Sequence, residues 1–118
     1  MGNVNKIILV GNLGADPKLE RTPTTQRAFC HLSIATSHGF KDQQGQKHER
    51  TEWHRVTVWG ETAEDCVRYL TKGRSVFIEG RLETRTWEDK EGKKRSATDV
   101  VATRVVFLGG GAAKAQAA

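Results

Sequence analysis

The chain has 118 residues, 36% hydrophobic and 28% charged, with a formal net charge of +5. That is enough apolar material for one core but not for two, and the positive balance favours a polyanionic partner, either nucleic acid or an anionic membrane surface. The longest unbroken apolar run, Ile7 to Val10, is too short to span a bilayer, and with no secretory pattern at the N-terminus a cytoplasmic location is expected.

The first strand is expected over about Val4 to Val10, apolar on both sides through Ile7, Ile8, Leu9 and Val10. Burial on both faces follows, one against a core and the other against a second subunit, with Ile7 and Leu9 assigned to the subunit side. Gly11-Asn12-Leu13-Gly14 reads as a bend in a barrel strand rather than a phosphate loop, because no helix signal follows it. A second strand runs from Arg27 to Thr36, with Ala28, Cys30, Leu32 and Ile34 on one side. The polar stretch from Ser37 to Arg50 reads as a long loop or hairpin carrying Phe40.

The third strand, Trp53 to Trp59, has two unlike faces. Period-two alternation puts Trp53, Arg55, Thr57 and Trp59 on one and His54, Val56 and Val58 on the other. The aliphatic side claims the core, so the tryptophans share a wet face with an arginine, a pattern suited to unpaired bases. Beyond Gly60, the residues Ala63, Cys66, Val67 and Leu70 form one helical stripe, with Lys72 in the last turn and Gly73 as the stop. The fourth strand, Ser75 to about Glu88, sets Val76, Ile78 and Leu82 against Arg81, Arg85 and Trp87. A hairpin tip at Glu91-Gly92-Lys93 leads to a fifth strand over about Thr98 to Leu108, and residues 110–118 are expected to be disordered.

Chemistry is poorly provided for. Cys30 and Cys66 read as buried hydrophobes without zinc-ligand spacing, and no nucleophile, P-loop or metal-spaced cluster accompanies the acidic residues. No catalytic residue, metal or cofactor is expected. Three strands, a helix and two strands give an all-β chain with one helix, the element order of an OB-fold. This five-stranded Greek-key barrel binds oligonucleotides or oligosaccharides on its open face and loops.

Several segments closely resemble the bacterial single-stranded DNA-binding protein family: Val4 to Gly14, Asp16-Pro17, Thr51-Glu52-Trp53-His54-Arg55-Val56, Tyr69 to Gly73, Ile78 to Leu82 and Thr84-Arg85-Thr86-Trp87. The likeness covers about Val4 to Gly110. It implies that Trp53, Trp59, Trp87 and Phe40 stack on bases, although relatives commonly carry tryptophan at the Phe40 position and phenylalanine at the Trp59 position. It implies phosphate contacts near Lys6, Arg55, Lys72 and Arg85, which Arg81 joins by alternation, while Glu61, Glu83 and Glu88 intrude on that field.

The resemblance further implies a subunit contact at His54, a homotetramer, and a nucleoid-associated role in DNA replication, recombination and repair. It also implies a disordered linker whose acidic tip recruits replication and repair proteins, whereas this sequence stops at Ala118 before any such tip. An RNA-binding OB domain and a protein-docking OB module of replication restart are the competing readings.

Overall fold

The computed structural model describes residues 2–109. Its strands are β1 (Ile7–Leu13), β2 (Glu20–Arg21), β3 (Ala28–Lys41), β4 (Lys47–Trp59), β5 (Ser75–Glu88) and β6 (Lys94–Phe107), with one helix, α1 (Gly60–Tyr69), between β4 and β5. The strands lie in the order β1-β5-β6-β4-β3, and β1 then pairs with β3 to close a five-stranded barrel, with β2 appended to β3. The fold is the OB-fold expected from the element order. All ladders are antiparallel except β4 with β6, where Val56 faces Val100.

Closure depends on β1 changing partners. It pairs with β5 from Ile7 to Asn12, then with β3 through Asn12 and Leu13. A Cβ on Gly11 would strike the backbone carbonyl of Ala35, so only glycine lets the two strands approach where the exchange occurs. The Gly11 to Gly14 segment is therefore mostly strand, carrying β1 through its change of partner.

Inward-facing Leu9, Leu32, Ile34, Val56, Val58 and Ile78 fill the barrel, and α1 closes one end with Ala63 and Cys66. Cys30 and Cys66 are both free and fully buried, as their apolar neighbours in sequence imply. The helix ends earlier than the stripe suggests: Leu70 has left it in extended geometry, which turns its side chain into the core. Lys72 consequently lies in a turn, where its backbone N–H donates to Asp16 Oδ1 at 2.7 Å.

The assignment of Ile7 and Leu9 to a subunit face is corrected. Leu9 belongs to the core and Ile7 packs against it, because the inward parity of β1 is fixed by Leu13. Ile8 and Val10 are the outward residues, 56% and 57% exposed. Of the two readings of the polar stretch from Ser37 to Arg50, the hairpin holds and the loop does not, since β3 and β4 remain paired from Phe29–Trp59 out to Lys41–Lys47. Beyond the barrel this ladder buries no side chain, which is why hydrophobic periodicity did not mark it. The β5–β6 ladder projects as a second arm in the same way. The tail expected to be disordered lies outside the described residues.

Candidate nucleic-acid interface

The outer face begins with the odd-numbered residues of β4. Burying Val56 and Val58 turns Trp53, Arg55, Thr57 and Trp59 outward, and the register sets Ala35, Ser33, His31 and Phe29 beside them on β3. Trp53 stands on small neighbours, with its indole against Gly14, and is 60% exposed. Trp59 is half-buried: the Phe29 ring lies 5.0 Å from it and the Arg27 guanidinium 4.5 Å. One tryptophan is thus free and the other braced.

Between them and β5 runs a polar chain that crosses four strands. His31 Nδ1 and Thr57 Oγ1 are 3.1 Å apart, and the Arg55 guanidinium donates to His31 Nε2 at 3.1 Å. A nitrogen accepting from Arg55 carries no proton, so Nδ1 carries it and donates to Thr57. Burial first, and the Arg55 charge second, hold the His31 pKa below the usual imidazole value. Arg55 then approaches Asp99 of β6 at 4.0 Å, and Arg85 of β5 donates to the same carboxylate at 2.7 Å. One carboxylate, only 13% exposed, thus tethers two outward guanidiniums.

Further along β5, the Arg85 guanidinium covers the Trp87 ring at 4.9 Å, and Trp87 is 43% exposed. Arg81 lies on the same face and is partly neutralised by Glu83 at 3.4 Å. Trp53, Arg55, Trp59, Arg81, Arg85 and Trp87 therefore share one aromatic and cationic surface.

The remaining expected residues lie elsewhere. Phe40 is out on the β3–β4 arm, on the opposite side of that ribbon from Trp53, beside His48 at 5.3 Å. Lys6 is held by Glu79 on the flank of β1 and β5, with Arg104 also near that carboxylate. Lys72 borders the Trp53 end, since the neighbouring Gly73 N–H donates to the carbonyl of Leu13, one residue before Gly14. His54 is half-buried on the inner side and lies 2.9 Å from Thr36 Oγ1. Among the described residues, no cluster of acidic, histidine and cysteine side chains is arranged to hold a metal, and no helix is long and apolar enough to cross a membrane.

A barrel with an open aromatic and arginine face narrows the comparison, and a family model described as the single-strand binding protein family matches residues 4–108. The chain belongs to that family. It is 50% identical over 107 residues to Single-stranded DNA-binding protein 1 of Chlorobaculum tepidum, covering 90% of this chain and 65% of the relative. Against the single-stranded DNA-binding protein of Neisseria meningitidis it is 44% identical over 108 residues, 92% of this chain and 62% of that one. The chain therefore spans less than two thirds of these curated relatives.

Among solved structures, the Plasmodium falciparum SSB complex with ssDNA superposes with a TM-score of 0.81 at 26% identity, covering 92% of this chain and 97% of that one. A deletion mutant of the single-stranded DNA binding protein from Thermus aquaticus gives 0.79 at 38% identity, covering 91% of this chain and 51% of the other.

Membership does not by itself reveal the residues that shape this face. Sequence reasoning missed Phe29 and His31, although both stand opposite the inward Ala28, Cys30 and Leu32 and were recoverable from the same alternation. Asp99 left no such signal. Its role depends on a β4–β6 pairing between residues more than forty positions apart.

Proposed function

We propose that this chain binds single-stranded DNA without sequence preference and protects it during replication, recombination and repair. Binding alone performs the function: Trp53, Trp59, Trp87 and Phe40 stack on bases, and Arg55, Arg81, Arg85, Lys72 and Lys6 meet the phosphates. The observation that carries this reading is Trp53, an indole left open beside Arg55 while smaller aliphatic side chains fill the core beneath. An exposed ring accepts any base because every base has a flat face, whereas a duplex has already stacked its own.

Assembly is part of the proposal. Ile8 and Val10 form an apolar outer stripe on β1, and covering it with a second copy supports a homotetramer in which linked sites raise avidity. Replication and repair proteins become partners where the full-length protein carries an acidic C-terminal tip.

Titration of tryptophan fluorescence with oligo(dT), with RNA and duplex of equal length as controls, tests the reading. Tight quenching by the DNA single strand is expected, weakening with salt by about 0.7 log units per log unit for each phosphate neutralised. Equal affinity for duplex overturns it, and a clear preference for RNA moves it to the RNA-binding class.

A further inference from the structure

The two arms end in the same construction. Asp42-Gln43-Gln44-Gly45 and Asp89-Lys90-Glu91-Gly92 close the β3–β4 and β5–β6 ladders with glycines at φ +80° and +81°. Each aspartate accepts two backbone N–H groups on Oδ1, from Gln44 and Gln46 in one arm and from Glu91 and Lys93 in the other, all at 2.9 Å. Oδ2 in each holds the residue six positions on, His48 at 2.7 Å or Arg95 at 2.9 Å. That residue pairs across the ladder with an aromatic two positions before the aspartate, Phe40 or Trp87. The residue two positions before the ring also lies against it: His38 at 6.4 Å from Phe40, and Arg85 at 4.9 Å from Trp87.

Besides the ring itself, phenylalanine in one arm and tryptophan in the other, the arms differ in the charge beside it. Both residues flanking Trp87 are arginines, charged at every working pH. Both residues flanking Phe40 are histidines, the side chain that changes charge between about pH 5 and 8. We propose that the arm tips are equivalent nucleotide clamps, a platform ring flanked by two nitrogen bases, and that the Phe40 clamp tightens on single-stranded DNA as pH falls. The Trp87 clamp stays constant. This rests on the DNA-binding reading above and adds a proton-dependent site to it.

Charged groups flank the histidines on both sides of the ribbon. Asp42 faces His48 from the turn, and its own pKa is lowered first by the hydrogen bond with His48. Arg50, paired across from His38, and Glu52, paired with Thr36, share the ring face, while Lys41, Lys47 and Glu49 lie on the back of the ribbon. Protonation therefore gives the Phe40 ring two cations, as Trp87 already has, and each attracts the phosphate beside a stacked base.

Oligo(dT) titrations from pH 5.5 to 8 at fixed salt test the proposal. Wild type is expected to bind roughly fivefold tighter at the acid end, from two exposed cation contacts. The double variant His38→Arg/His48→Arg is expected to hold the tight value throughout, and His38→Gln/His48→Gln the weak one, each with a flatter profile. Circular dichroism checks folding, and if one double variant does not fold the other decides. A wild-type profile without slope, or variants that keep the full wild-type slope, overturns the proposal. Failure of wild type to bind oligo(dT) at any pH strikes the DNA-binding reading instead.

Discussion

The six-membered ring of Trp53 lies so close to the α-carbon of Gly14 that a Cβ there would overlap ring atoms Cζ3 and Cη2. Glycine 14 is thus a seat for the most exposed indole of the face, built by a loop distant in sequence. Gly14→Ala forces the ring to move without disturbing a core side chain. The expected outcome is a loss of about 1 kcal/mol in oligo(dT) affinity, roughly fivefold, at the low end of what one stacking contact is worth. Fluorescence titration with an unchanged unfolding midpoint is the check, and unaltered affinity would show that the orientation of Trp53 does not matter.

The three tryptophans separate by how firmly each is braced. Trp53→Ala and Trp87→Ala remove exposed rings, so each costs about 1–3 kcal/mol of binding and little stability. Trp59 packs between Phe29 and Arg27, so Trp59→Ala also destabilises the barrel, by about 1–2 kcal/mol given its half-burial. Urea unfolding alongside DNA titration distinguishes the classes. Equal destabilisation by all three would return the exposed pair to a structural role.

Alternation carried much of this structure. Where β3 and β4 line the barrel, one side is apolar throughout, Ala28, Cys30, Leu32 and Ile34 on one strand and Val56 and Val58 on the other, so the inner face, the outward tryptophans and Arg55 were legible from spacing alone. The β5–β6 arm was legible in part, through the extent of β5 and its hairpin tip, whereas the β3–β4 arm read only as a loop or a hairpin, because a ribbon solvated on both sides has no hydrophobic period and its ladder is held by backbone bonds and aspartate turns. β2 was too short to leave a pattern. On β1 the run of four aliphatics hid the parity, and the burial of Leu13 at the far end of the strand shows which two face inward.

That parity makes a sharp contrast between neighbours. Leu9→Ala is expected to cost about 2–4 kcal/mol of stability by opening a cavity among core side chains. Ile8→Glu and Val10→Glu alter exposed positions and leave the barrel folded, but they place charge on the stripe proposed to be covered by a second copy. Light scattering is expected to show a smaller assembly for both glutamate variants. An unchanged mass would remove β1 from the interface.

Acid stability turns on His31. Its folded pKa lies below the unfolded value of about 6.5, through burial first and Arg55 second, so the unfolded chain takes up a proton that the native protein refuses. Stability contributed by the neutral ring is complete above about pH 6.5 and is lost as the pH falls toward the folded pKa, below which the loss levels off. Protonation also removes the acceptor for Arg55 at Nε2 and sets two cations 3.1 Å apart, with Asp99 tethered mainly to Arg85. Thermal midpoints of wild type are therefore expected to fall between pH 7 and 5 more steeply than those of His31→Gln, which keeps a polar group but does not titrate. Asp42, Glu79 and Asp89 have lowered pKa values and contribute below that window, where native ion pairs and hydrogen bonds are lost as the carboxylates protonate near and below pH 4. The two effects separate along the pH axis, so parallel curves for wild type and variant between pH 7 and 5 would show that His31 does not govern the acid limb.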